Sequence, residues 1–157
     1  MKIIKPNRAK HTYRQRLHAS PEQVFPLLCP VREVDWAVGW EPSLVISHSG
    51  VAEDDCVFVT PGSAADSIWY VTRHEPDRLF VEMLKITPGI TACRLDIQLA
   101  ADGAGCLADV TYTHTSLGIA GDEFVAKFTA EYYVKFMQAW ESELNFFLTH
   151  NRKSNAT

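Results

Sequence analysis

The run CLADVTYTHTSL, from Cys106 to Leu117, puts a tyrosine and a histidine on one side of an alternating pattern. Cys106, Ala108, Val110, Tyr112 and His114 share that side, and Asp109, Thr111, Thr113 and Thr115 share the other. The first set is the apolar one, so a strand here turns Tyr112 and His114 toward the interior. An imidazole in that position can serve as general base near neutral pH, or hold a ligand's acceptor. The plainer reading of His114 is a buried, hydrogen-bonded structural histidine. SIWYVTRH, from Ser67 to His74, offers a related choice. With Trp69 inward, Val71 and Arg73 follow it, and the Arg73 guanidinium can fork onto a carboxylate at a rim. In LFVEMLKI, Glu82 shares a side with Phe80, Leu84 and Ile86. An inward carboxylate there needs a partner or a proton, so Glu82 is read as facing solvent.

A set of large rings accompanies these groups. Trp36, Trp40, Phe58, Trp69, Tyr112, Phe124, Phe128, Tyr132 and Phe136 can converge on one interior. They either pack a core or wall a ligand cavity whose few polar groups fix orientation.

Other chemistries lack their signatures. The chain has no GxSxG, P-loop, GxGxxG before a helix, or HExxH. Cys29, Cys56, Cys93 and Cys106 are scattered without metal-binding spacing, so no metal or other cofactor is expected. They read as reduced thiols, and a cytoplasmic location is the default expectation in a sequence with no export signal. No apolar run approaches the roughly 20 residues a membrane helix needs. A net charge of −4 gives no basic face for nucleic acid. Lys2, Lys5, Arg8, Lys10, Arg14 and Arg16 precede the first acid, Glu22, and are read as a solvated terminus plus one exposed strand face.

The elements that must position these residues follow from pattern. Tyr13, Gln15, Leu17 and Ala19 alternate with a basic face, which marks a first strand. Ser20 and Pro21 are a helix cap and first position, with Gln23 as a capping-box partner. Pro30 breaks that helix and can begin a second short one through Trp36, with Gly39 as its end. Runs at 43–50, 56–62, 67–74, 79–86, 90–100 and 106–117 are rich in β-branched and aromatic residues and separated by Gly, Pro or Asp. They predict an antiparallel meander, with the first strand joining it beside the last. Phe124, Val125, Phe128, Tyr132, Phe136, Trp140, Leu144 and Phe147 recur at helical spacing, predicting one long amphipathic helix with that stripe inward. Residues 10–151 are read as a single domain, 1–9 as an N-terminal arm and 152–157 as a polar tail. The predicted class is α+β: a seven-stranded curved antiparallel sheet wrapped around a long C-terminal helix, with two short helices after strand 1.

This order, with SPEQVFPLL after the first strand and the aromatic terminal helix, resembles the START-like helix-grip (SRPBCC) superfamily from about Tyr13 to His150. That group includes polyketide cyclase and dehydrase homologues, lipid-transfer domains and plant pathogenesis-related allergens. CPVREVDWAVGW looks like a subgroup signature within it. The resemblance implies an apolar cavity between sheet and helix, but no single activity. Three functions stay open. One is binding of a small hydrophobic or aromatic ligand, lipid- or polyketide-like, by residues of the aromatic set with Arg73, Tyr112 and His114. Another is a cyclase- or dehydrase-type enzyme using His114 as acid or base. The third is a protein-interaction module presenting Trp36 and Trp40 at one end.

Overall fold

The computed structural model describes Met1 and residues 3–154. The N-terminal-arm reading therefore falls partly, at Lys2, and the polar-tail reading partly, at 155–157, outside the described residues. Strand β1, Arg8–Leu17, begins inside the stretch read as an arm. It is followed by a single α-helical turn, α1, Pro21–Val24, which tightens into a 3₁₀ turn at Phe25–Leu27. The Ser20 amide donates to Gln23 Oε1 at 3.2 Å, and Pro21 takes the first helical position. Pro26 sits where the tighter turn begins, a place with little need for its missing amide. The second short helix is smaller than expected, a 3₁₀ turn confined to Glu33–Asp35.

Strands β2 (Leu44–Ile46), β3 (Val57–Thr60), β4 (Ser67–Glu75), β5 (Phe80–Thr87), β6 (Thr91–Asp102) and β7 (Gly105–Ser116) form the meander. The curved, seven-stranded antiparallel sheet has the order β1-β7-β6-β5-β4-β3-β2, so β1 closes beside β7 as the sequence requires. β7 keeps its predicted phase: Cys106, Ala108, Val110 and His114 are buried.

β4 does not keep a single phase. Ser67, Trp69 and Val71 are buried, but the pairing with β5 slips between Val71 and Arg73. A bulge of this kind moves every later side chain to the opposite face. Arg73 therefore lies exposed on the outer face, bound to Glu75 at 2.8 Å, with its guanidinium over Phe80. His74 turns inward in its place and packs on Phe25.

The long C-terminal helix is present, but the start of the stretch read as part of it forms a separate, shorter helix. α2, Ile119–Lys127, ends at Phe128, and α3, Ala130–His150, restarts with Thr129 as its cap. The Tyr132 amide donates to Thr129 Oγ1 at 3.2 Å, satisfying one of the free donors of a new helix. This interruption shifts the first turns of the stripe by one residue, while Leu144 keeps its inward place. Tyr133, Met137 and Leu144 are the buried residues of α3, whereas Tyr132 and Phe136, expected inward, are 54% and 41% exposed.

Hydrogen bonds fix α3 in the sheet. Tyr133 Oη donates to the Val110 carbonyl at 2.6 Å, and Gln15 Nε2 to the Met137 carbonyl at 3.1 Å. Glu141 accepts from Tyr13 Oη and from the Arg16 amide. Pairing makes burial of the Tyr133 hydroxyl and the Gln15 amide nitrogen tolerable, while Gln15 Oε1 is buried without a partner among the described residues. Among the described residues, no helix is long and apolar enough to cross a membrane.

Candidate ligand cavity

Between the sheet, α3 and the segment after α1 lies a cavity of about 310 Å³. The sheet supplies Phe58, Trp69, Met83, Leu95 and Tyr112; α3 supplies Phe136, Trp140 and Glu143; the segment supplies Glu33 and Ala37 through Trp40. Its walls are braced rather than merely packed. The Trp36 indole donates to the Leu27 carbonyl at 3.0 Å, and the Trp40 indole to the Pro30 carbonyl at 2.9 Å. These bonds turn both rings inward, with Trp36 at 0% exposure against Trp140. Neither ring forms the exposed patch that the interaction-module reading needs. Gly39 adopts φ +74°, a left-handed turn suited to glycine, at the end of this wall.

The aromatic walls are ordered by ring contacts. Phe58 and Trp69 stack at 5.2 Å and 12°, and Trp40 meets them edge-on at 6.1 and 6.0 Å. The Trp69 indole is satisfied by Thr60 Oγ1 at 2.9 Å.

Glu33 is the unexpected member. It is only 7% exposed, and no hydrogen bond or opposite charge acts on its carboxyl among the described residues. Burial without a compensating charge pushes it up to about 8, so it holds its proton at neutral pH. Tyr112 lines the same space; burial, then the nearby Cys93 and Glu33, push its hydroxyl well above the usual range. Glu143 also lines it, and Glu143 Oε2 accepts from the Val38 amide at 2.9 Å.

Sequence reasoning missed Glu33 although a signal exists. Side chains three apart eclipse one another in a 3₁₀ turn. Arg32 and Asp35 accordingly pair on the outside at 2.8 Å, and Glu33 shares the inner side with Trp36. Lys85 was missed for a similar reason: it follows Val81 and Met83 on the inner face of β5. Its ammonium lies 4.8 Å from the Trp69 ring centre, and burial lowers its pKa.

The predicted site residues divide between two hollows and the outside. Trp40, Phe58, Trp69 and Tyr112 line the aromatic cavity, and Trp36 stands behind it. His114 and Phe124 instead line a neighbouring hollow of about 280 Å³ with Lys85, Ser67, Thr87 and Thr91. There His114 packs between Phe124 and Phe128, at 4.8 and 4.5 Å, and its Nδ1 is buried without a partner among the described residues. Burial and the nearby Lys85 lower its pKa to about 4. Tyr132 stacks on Phe136 at the surface, and Arg73 is on the far side of the sheet. Among the described residues, no group of three or more His, Cys, Asp or Glu side chains is placed to hold a metal ion.

No protein-family model matches the sequence, and no curated protein matches it. Solved structures do match in shape. CalU16 from Micromonospora echinospora is similar at TM-score 0.57 and 17% identity, over 91% of this chain and 83% of that one. Ara h 8.0201 is similar at TM-score 0.64 and 10% identity, over 92% and 100%. Norcoclaurine synthase from Thalictrum flavum, in complex with dopamine and hydroxybenzaldehyde, is similar at TM-score 0.63 and 10% identity, over 99% of each chain. With the strand order, the grip on α3 and these likenesses in hand, the chain has the START-like helix-grip fold.

Proposed function

We propose that this protein binds a small, mainly aromatic ligand between its sheet and α3. The observation that carries the reading is the space of about 310 Å³ between sheet and α3, walled by rings from three parts of the chain and holding an unpartnered carboxyl. A space near the lower end of the ~300–1,000 Å³ typical of ligand sites suits one or two rings better than a long acyl chain. The dopamine and hydroxybenzaldehyde bound by norcoclaurine synthase are ligands of that size on the same fold. The four free, buried cysteines favour a reducing compartment.

Trp40, Trp69 and Trp140 all line the cavity, so occupancy changes intrinsic tryptophan fluorescence. A screen of monocyclic and bicyclic aromatics, fatty acids and sterols, read by fluorescence and native mass spectrometry, tests the proposal. Saturable one-to-one binding of aromatics, weakened by Trp40→Ala, is expected. Binding of fatty acids alone, or of nothing, overturns it.

The acid–base reading of His114 draws support from its unpartnered Nδ1. Because His114 opens on the neighbouring hollow, a ligand confined to the aromatic cavity does not reach it by the lining alone. The ligand-binding reading is therefore preferred.

A further inference from the structure

The polar character of the aromatic cavity is one-sided. Glu33 lines it, more than nine-tenths buried and with no hydrogen bond or opposite charge acting on its carboxyl among the described residues. Glu143 enters from α3, and among the described residues no Lys, Arg or His lines the cavity. The ring faces add to the same sign, since the face of an aromatic ring is the negative end of its quadrupole. Trp69 is already engaged, with Phe58 stacked on it and Lys85 above it. Trp40 and Trp140 are not stacked on any other ring among the described residues, and the Trp40 N–H is used by the Pro30 carbonyl. What they have left to offer is a face.

Acid oxygens and π faces around an apolar space complement a cation attached to an apolar body. An ammonium donates to a carboxylate and is attracted to tryptophan faces at the same time. A hydrocarbon would leave the Glu33 carboxyl without a partner in the filled cavity, and an organic anion would meet only like charge.

Resting on the ligand-binding reading above, we propose that the cavity selects arylalkylamines, with the ligand's ammonium seated between the Glu33 carboxylate and the faces of Trp40 and Trp140. The amine enters as its intact cation. Glu33, which holds a proton in the empty cavity, gives it to solvent as the ion pair forms, so about one proton is released per ligand bound near neutral pH. The other titratable groups around Glu33 are Tyr112 on β7 and Glu143 on α3, with Cys93 and Lys85 further along the sheet.

Three probes of one skeleton separate this proposal from the broader reading: phenethylamine, phenethyl alcohol and 3-phenylpropionate. Isothermal titration in buffers of different ionisation enthalpy gives affinity and proton release together. The expected result is that the amine binds at least about ten-fold more tightly than the alcohol, with the acid weakest and a proton released only with the amine. Glu33→Gln should abolish that preference and the proton release while leaving the alcohol bound. Equal or tighter binding of the alcohol by the unaltered protein overturns the amine proposal and leaves the aromatic reading standing. An amine preference that survives Glu33→Gln overturns the role of Glu33. Failure of all three probes, together with no binding in the aromatic screen, overturns both readings.

Discussion

The two hollows beneath the helices solve the same electrostatic problem in opposite directions. At one, Glu33 is an acid without a base and burial pushes it up to about 8. At the other, His114 and Lys85 are bases without an acid, and both are lowered, His114 to about 4. Low-dielectric surroundings disfavour whichever form is charged, so the acid keeps its proton and the histidine stays without one. Burial with no ion pair, joined at the histidine by the charge of Lys85, gives these two ends opposite appetites: one for a cation or an acceptor, the other for a donor or an anion.

The largest effect that should distinguish the ends comes from Trp36. It is fully buried behind the Glu33 end and packs on Trp140. Trp36→Ala should cost about 3–5 kcal/mol in urea unfolding. At the same time the His114 ring titration, followed by NMR, should be unmoved, because the damage stays at one end.

Next come the two pH responses, which have opposite sign. Glu33 has a folded pKa raised to about 8 from 4.5, so its contribution is intact below about pH 4.5 and is lost as pH rises through 8. Glu33→Gln should therefore be roughly 5 kcal/mol more stable than the parent near pH 9, with that advantage gone near pH 4.5. His114 has a folded pKa lowered to about 4 from 6.5, so stability is intact above about pH 6.5 and is lost as pH falls toward 4. His114→Phe should flatten that acid limb, worth roughly 3 kcal/mol across the window. Urea midpoints taken along the pH axis check both, and a slope of the same sign for the two variants would dissolve the comparison. The smallest effect is expected from Arg73→Ala. On the outer face it touches neither hollow, so ligand affinity should not change, and a measurable loss would mean the β4 bulge is misplaced.

Much of the fold could be read from pattern because alternation and helical spacing report directly on which side is apolar. The β7 phase, with His114 inward, and the closure of β1 beside β7 follow from that logic. What escaped were places where one residue resets the count. Thr129 supplies a cap in the middle of a run whose periodicity looks unbroken, and the helix that restarts there buries Tyr133 and Met137, leaving Tyr132 exposed and Phe136 part-exposed on the cavity wall. The slip after Val71 does the same to Arg73 within a strand. Glu33 escaped differently: flanked by Arg32 and Asp35 it looks like one more surface charge, and only the threefold winding of its turn sets it beside Trp36.

The two indole bonds of the wall, from Trp36 to Leu27 and from Trp40 to Pro30, lie wholly within one segment of chain. Glu143 adds a strut from α3 to the Val38 amide. The surface that meets a ligand is thus held in shape by bonds that do not involve the ligand. The conformational entropy of ordering these large side chains falls on folding and not on association. Each rotamer-rich side chain left to order at binding would otherwise weaken affinity by about 0.5–1.5 kcal/mol. A cavity built this way should bind with little change in backbone shape and discriminate by fit, since its walls have little freedom to close around a poor ligand.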